Sequence, residues 1–262
     1  MDIKPRIRIR LDSGHDTANA RLKRLAAELG MSDPVDDVEQ ADYVLILNDN
    51  RLELHHGPGC TAATSPLYVD FCSGAPYYRF IHDRTIKQPL ARAIGIKKGY
   101  RPKVLDATAG FGEDSFVLAA LGCAVTMLER SGVIWALLDD GIRRALSHPA
   151  VGKVFFDLVT LVHADAKRYL HDHRDAFDTI YLDPMYPHSS RSALNKQKMR
   201  FLRNVVGDDT DCSELLETAL THAEKRVVVK RPLKAEFLAD LQPSFSQTGK
   251  SSRYDIYLAG HL

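Results

Sequence analysis

The sequence predicts an α/β protein built on a doubly wound, mostly parallel sheet, with a small α/β extension at its N-terminus. Three observations carry that expectation. From Lys103 onward, short apolar runs alternate with helical segments, which is the pattern of βαβ units. A Gly-rich turn joins the first of these runs to a helix in "VLDATAGFGEDSF", Val104 to Phe116. A later run, "TIYL", ends in the acid and proline of "DPMYP", Asp183 to Pro187.

The elements follow in order. "IRIRL" (Ile7 to Leu11) alternates with period two and reads as a strand. Thr17 to Gly30 places Leu22, Leu25, Ala26 and Leu29 at helical spacing, with Gly30 as a stop. "YVLILN" (43–48) and "RLELHH" (51–56) read as strands around a turn at Asp49-Asn50. "LYVDF" (67–71) reads as one more strand. Lys87 to Ile96 is a short helix. Strands are then expected at 103–106, 124–129, 158–165, 179–183, 226–232 and 254–259. Helices are expected at 113–122, 134–147 and 214–223. The predicted division is 1–80 for the small unit and 81–262 for the main one.

Composition narrows the class. A chain of 262 residues with 45% apolar and 26% charged residues is long enough to bury a core of useful size. Cys60, Cys72, Cys123 and Cys212 form no CxxC, so neither a zinc ribbon nor a disulfide framework is expected. No metal is expected elsewhere. The charged N-terminus is not read as a signal peptide, and no apolar run approaches the roughly 20 residues of a membrane span. A soluble, cytoplasmic protein is the expectation. The net charge of +1 requires any nucleic-acid contact to be a local patch.

The turn after Asp106 suits a nucleotide cofactor. Gly110 and Gly112 permit positive φ and close backbone approach, and the next helix aims its N-terminus at the ligand. Glu129 ends the following strand, where an acid hydrogen-bonds ribose hydroxyls. The third glycine of GxGxxG is absent, since Ser115 stands there. This pattern serves both NAD and S-adenosylmethionine. Glu113 and Asp114 tilt the choice, because two acids repel a pyrophosphate and could pair with an ammonium. Asp165 could accept from an adenine amine while the Ala166 N–H donates to the ring; capping the helix that begins at Ala166 is the competing reading. Arg130 is placed over the adenosine, with an ordinary solvated arginine as the alternative.

Asp183, Pro184 and Tyr186 form the candidate reactive centre. An aryl amine is a poor nucleophile because its lone pair is delocalised. A carboxylate and the Pro184 carbonyl, accepting its N–H bonds, localise that pair. In-line placement at about 3–3.5 Å is then most of what transfer needs, with Asp183 taking the proton late. Tyr186 offers a stacking face worth about 1–3 kcal/mol. Directly downstream, His188 to Arg203 carries Arg191, Lys196, Lys198, Arg200 and Arg203 with no acid, which suits contact with a phosphate backbone. Lys230 and Arg231 are assigned to the same patch, and "PYYRF" (76–80) with Arg84 and Lys87 is a weaker candidate.

On these residues the chain resembles S-adenosylmethionine-dependent methyltransferases of the Rossmann-like class. More narrowly, it resembles the RsmJ family, which methylates a guanine N2 amine of bacterial small-subunit ribosomal RNA. The segments that carry the resemblance are 105–123, 127–145, 163–166, 181–190 and 194–209. It implies a seven-stranded sheet with a reversed last strand, S-adenosylmethionine as cofactor, and ribosomal RNA or the small subunit as partner. Its cofactor residues would be Glu113, Asp114, Glu129, Arg130, Asp165, Ala166 and Asp183. The wider amine-methylating class has "DPPY" or "NPPY"; here Met185 replaces the second proline. Two other readings stand beside it: a nicotinamide-dependent oxidoreductase, which gives "DPMYP" and the basic segment no role, and a non-catalytic RNA-binding module, which has no use for the acid at 183.

Overall fold

Two sheets organise the chain in the computed structural model, which describes residues 5–11, 16–35, 37–59, 65–184, 204–206 and 211–260. The first sheet has the order β1-β2-β3, from β1 (Ile7–Ile9), β2 (Tyr43–Asn48) and β3 (Arg51–His56). β1 and β2 are parallel, so the chain must cross over between them, and α1 (Asp16–Glu28) lies in that crossover. β2 and β3 are antiparallel around Asp49 and Asn50, whose φ values of 47° and 63° give the left-handed pair that a tight hairpin requires.

α2 (Gly74–His82) and α3 (Pro89–Ile94) lead into the main sheet. There the order of elements is β4 (Val104–Asp106), α4 (Glu113–Ala120), β5 (Val125–Glu129), α5 (Gly132–Leu146), α6 (Gly152–Leu158), β6 (Val159–His163), α7 (Ala166–Asp172) and β7 (Phe177–Leu182). α8 (Cys212–His222), β8 (Ala223–Pro232), β9 (Phe245–Thr248) and β10 (Ser252–Leu258) complete it. The strands are ordered β6-β5-β4-β7-β8-β10-β9. β10 is antiparallel to both of its neighbours, and the remaining pairs from β6 to β8 are parallel. This is the expected seven-stranded sheet with its last strand reversed. The chain winds outward from β4 through β5 to β6, then returns to place β7 against the other side of β4. That reversal opens a crevice at the carboxyl ends of β4 and β7, where ligands bind in such sheets.

Both faces of the sheet are covered, which explains why its central strands read as apolar runs. One face (Val104, Met127, Tyr181, Val228, Ile256) belongs to a core that continues through Phe116, Phe155, Phe71 and Phe80 to Leu54, Leu45 and Ile9. The other (Leu105, Leu128, Ile180, Leu182, Val227, Val229) packs on α7 and α8 through Tyr169, Leu170 and Leu216. The N-terminal unit is thus packed on the main one. A buried charge fastens it: Asp140 of α5 accepts from Arg21 of α1 (2.5 Å), the Leu52 backbone N–H of β3 (3.1 Å) and Arg144 (2.9 Å).

The expected strand at 67–71 is corrected. Only Leu67 pairs, with Leu54. The next residues bond elsewhere, since Arg144 takes the Val69 carbonyl and the Asp70 carboxylate accepts from the Cys72 N–H and the Ser73 hydroxyl. The alternation of Val69 and Phe71, 3% and 1% exposed, records burial in the core rather than a place in a ladder. Helices α2 and α6 and strand β9 were not among the sequence expectations. No helix among the described residues is long and apolar enough to cross a membrane, and those residues hold no cluster of three or more His, Cys, Asp or Glu side chains suited to a metal.

Candidate active site

The turn after β4 is locked by acids on either side. Asp106 is buried at the end of β4, where one carboxylate oxygen accepts the Thr108 N–H (3.1 Å) and the other the Ser115 hydroxyl (2.5 Å). Burial pushes its pKa up to about 7 despite those two bonds, and the nearby Asp114 and Asp183 charges push the same way. Glu129, buried at the end of β5, accepts the Gly110 N–H (3.0 Å) and the Ser131 N–H (2.7 Å). One side chain therefore ties the Gly turn to the start of α5. Gly110 (φ 54°) and Gly112 (φ 70°) both take the left-handed conformation. A Cβ at Gly112 would lie 2.9 Å from Leu138 Cδ1 and 3.3 Å from Phe71 Cζ, so that position has no room for a side chain.

A second group of charges closes the crevice between β4 and β7. The backbone N–H of Asp183, just past β7, donates to Thr108 Oγ1 (2.6 Å). The Lys230 ammonium, near the end of β8, donates to Asp183 Oδ2 and to Asp114 Oδ2, both at 2.7 Å. Asp114, in the first turn of α4, also accepts the Tyr181 hydroxyl (2.8 Å) and lies 3.8 Å from Arg79 of α2. Burial raises the Asp114 pKa, but the Lys230 charge and the two donors outweigh it and hold the carboxyl below its ordinary value. Burial works against the Lys230 charge, and the two carboxylates more than reverse it, so the ammonium is held protonated. Burial and the Asp114 and Asp183 charges keep the Tyr181 hydroxyl neutral. The Lys230 side chain is 26% exposed and that of Asp183 38%, so the group opens outward on the Asp183 side.

The structure brings together Asp106, Gly110, Gly112 and Glu129 around one turn, and Asp114, Asp183 and Lys230 around one ammonium. Glu113 lies exposed on the same first turn of α4, and Pro184 is buried behind Asp183. Asp165 caps α7, accepting the Arg168 N–H at 3.1 Å, and Ala166 is the first residue of that helix. The Ala164 N–H donates to the Glu129 carbonyl (3.2 Å), which brings the ends of β5 and β6 side by side. Arg130 pairs with Asp211 (3.0 Å) beside α8. Lys230 and Arg231 do not share a patch. Successive strand residues point to opposite faces; Lys230 enters the crevice, while Arg231 is 7% exposed and donates to the Glu236 carbonyl (2.5 Å). Tyr186, Arg191, Lys196, Lys198, Arg200 and Arg203 lie outside the described residues. The sequence reading missed Thr108, Ser115, Tyr181 and Arg79 as parts of the site, and missed the role of Lys230.

This donor set suits a cationic nucleoside cofactor. Asp106, Asp114, Glu129, Asp165 and Asp183 all stand at the carboxyl ends of the strands or on the first turn of α4. Such an edge repels a pyrophosphate and favours a sulfonium and an ammonium. Glu129 accepts a Gly backbone N–H and so fixes the loop that follows β4. The acidic strand edge fits S-adenosylmethionine, a cationic cofactor.

Residues 25–259 match the family model described as "Putative SAM-dependent methyltransferase". Among curated proteins, the ribosomal RNA small subunit methyltransferase J of Desulfotalea psychrophila is 51% identical over 196 residues, covering 75% of each chain. The protein of the same name from Thioalkalivibrio sulfidiphilus is 45% identical over 257 residues, covering 97% of this chain and 98% of its own. Among solved structures, a SAM-dependent methyltransferase from Neisseria gonorrhoeae superposes with a TM-score of 0.75 at 33% identity, covering 98% of this chain and 96% of its own.

Proposed function

This chain belongs to the ribosomal RNA small subunit methyltransferase J family of S-adenosylmethionine-dependent methyltransferases, and on that footing we propose that it methylates the exocyclic N2 amine of a guanine in small-subunit ribosomal RNA. The observation that carries the amine reading is the placement of Asp183. Its carboxylate stands at the mouth of the crevice, on the strand beside the cofactor turn, with its backbone pinned to Thr108. A carboxylate there accepts an N–H from the amine, localises the nitrogen lone pair and receives the proton once the new N–C bond has formed. The cofactor supplies a methyl group made electrophilic by its sulfonium. The Pro184 carbonyl is the second acceptor in this reading and Tyr186 the stacking face. Asp106 and Glu129 hold the turn, Asp114 stands at the methionyl end, and Asp165, Ala166 and Arg130 flank the adenosine.

Arg191, Lys196, Lys198 and Arg200 form the phosphate-contacting segment, so that removing one weakens RNA binding and its dependence on salt. The same reading divides the chain near residue 80, with 1–80 as the packed appendage and 81–262 as the part that carries the chemistry. It also places the protein in the cytoplasm with its substrate. The test is transfer of labelled methyl groups to ribosomal RNA, and to small subunits, from cells lacking the gene. Label recovered on guanine N2 is the expected result. Label on another base atom overturns the specificity, and binding of NAD(H) in place of S-adenosylmethionine overturns the chemistry.

A further inference from the structure

We infer that Lys230 is a positioning residue for methyl transfer: it fixes the direction in which the Asp183 carboxylate meets the substrate amine, and it couples that carboxylate to the cofactor helix through Asp114. The inference rests on the reading of Asp183 as the amine acceptor.

Three features of the crevice carry it. First, Asp183 is held at two points by different strands. Thr108, past the end of β4, takes its backbone N–H (2.6 Å), and Lys230 of β8 takes its Oδ2 (2.7 Å). An aspartate at a strand end has two side-chain torsions, and with the backbone fixed the lysine bond to Oδ2 restricts both. Second, the lysine is itself held. Its ammonium has a second carboxylate at 2.7 Å, Asp114, which is braced in turn by the Tyr181 hydroxyl and faced by Arg79. Pinning a lysine at its tip costs side-chain entropy, more than an ordinary exposed ion pair returns. Third, two carboxylates meet at this point, and beside Arg79, which faces Asp114, the Lys230 ammonium is bonded to both. Asp114 and Asp183 converge on one position, with Asp106 nearby and the hydroxyls of Tyr181 and Tyr254 facing the same group. Without the ammonium, two carboxylates this close share a proton. A protonated Asp183 would present a donor and only a weaker acceptor to the amine, and it could not take up the proton that transfer releases.

The lysine takes no covalent part. The N2 lone pair forms the new N–C bond as the C–S pair returns to sulfur, and the proton released from nitrogen passes to Asp183 and then to water. Lys230 keeps its proton throughout.

Steady-state kinetics on the full chain test this, with small-subunit ribosomal RNA from cells lacking the modification. Lys230→Met is expected to lower kcat about tenfold to a hundredfold, with the KM for RNA unchanged. Lys230→Ala is expected to regain kcat saturably with propylammonium and not with tetramethylammonium, which has no N–H to donate. The inference is overturned by a wild-type kcat in Lys230→Met. A loss lying wholly in the KM for RNA overturns it too, since that marks a phosphate contact. So does a loss that tracks the melting temperature and ignores propylammonium, since that marks a structural ion pair. A wild-type chain that transfers no methyl group overturns the proposed function itself. An active wild type beside an equally active Lys230→Met overturns only the role of the lysine.

Discussion

Two buried charge groups in this molecule use the same components for opposite ends. At the seam between the N-terminal unit and α5, one carboxylate, Asp140, is 1% exposed and takes two guanidiniums and a backbone amide. At the crevice between β4 and β7, two carboxylates share one ammonium, and the Asp183 side chain is 38% exposed. In the first group the carboxylate is buried and its two guanidinium side chains reach the surface, 34% and 25% exposed. In the second a carboxylate is itself the most exposed member, and Arg79 stands 3.8 Å from Asp114 as a second cation. A carboxylate exposed at an opening can meet a donor-bearing ligand, whereas a carboxylate buried among donors from two units holds parts of a fold together.

That contrast is most directly challenged by Asp140→Ala. Leaving the Leu52 N–H and two part-exposed guanidiniums without their carboxylate should cost about 1–3 kcal/mol, read from urea unfolding, while methyl transfer per folded molecule stays at the wild-type level. A comparable loss of specific activity would erase the distinction between the two groups. Asp183→Asn is the mirror experiment. It keeps the side-chain shape and removes the charge, so methyl transfer should fall about a hundredfold or more, with the unfolding midpoint little changed.

Asp106 gives a pH test of smaller size. Its folded pKa of about 7 lies above the ordinary 3.8. Between those values the folded chain retains a proton that the unfolded chain has lost. Its contribution to stability is therefore complete below about pH 4 and is lost as pH rises to about 7, with a slope of up to about 1.4 kcal/mol per pH unit. Asp106→Asn should flatten that slope in cofactor-free protein, as followed by denaturant midpoints across the range. The smallest effect is expected at the rim. Arg130→Ala breaks a half-exposed pair with Asp211 and should change stability by less than about 1 kcal/mol. Its affinity for S-adenosylmethionine, measured by calorimetry, should nevertheless fall; an unchanged value would return Arg130 to a purely structural pairing with Asp211.

Local pattern was enough to locate the Gly turn, because strand, glycines and helix follow one another within a dozen residues and each has its own signal. It was enough for Glu129 and Asp183 as well, since both end apolar runs. The Lys230 bridge was not legible in the same way. Strand period alone separates Lys230 from Arg231, but its partner depends on the register Leu182 to Val229, which sets Lys230 beside Asp183 and is fixed only when the sheet assembles. Arg79 is harder still, since it comes from a helix outside the βαβ repeat and meets Asp114 through tertiary packing. The segment 67–71 misled for a related reason: alternation reports which side chains are buried and does not identify what their backbone bonds to.

The contact that Phe71 would make at Gly112 gives the N-terminal appendage a mechanical meaning. One wall of the space beside the Gly turn after β4 is built from a ring that precedes the main sheet in sequence. Phe71 thus acts as a wedge against the turn that follows β4. A substitution at that ring can shift the bend although it lies some forty residues upstream of it in the chain.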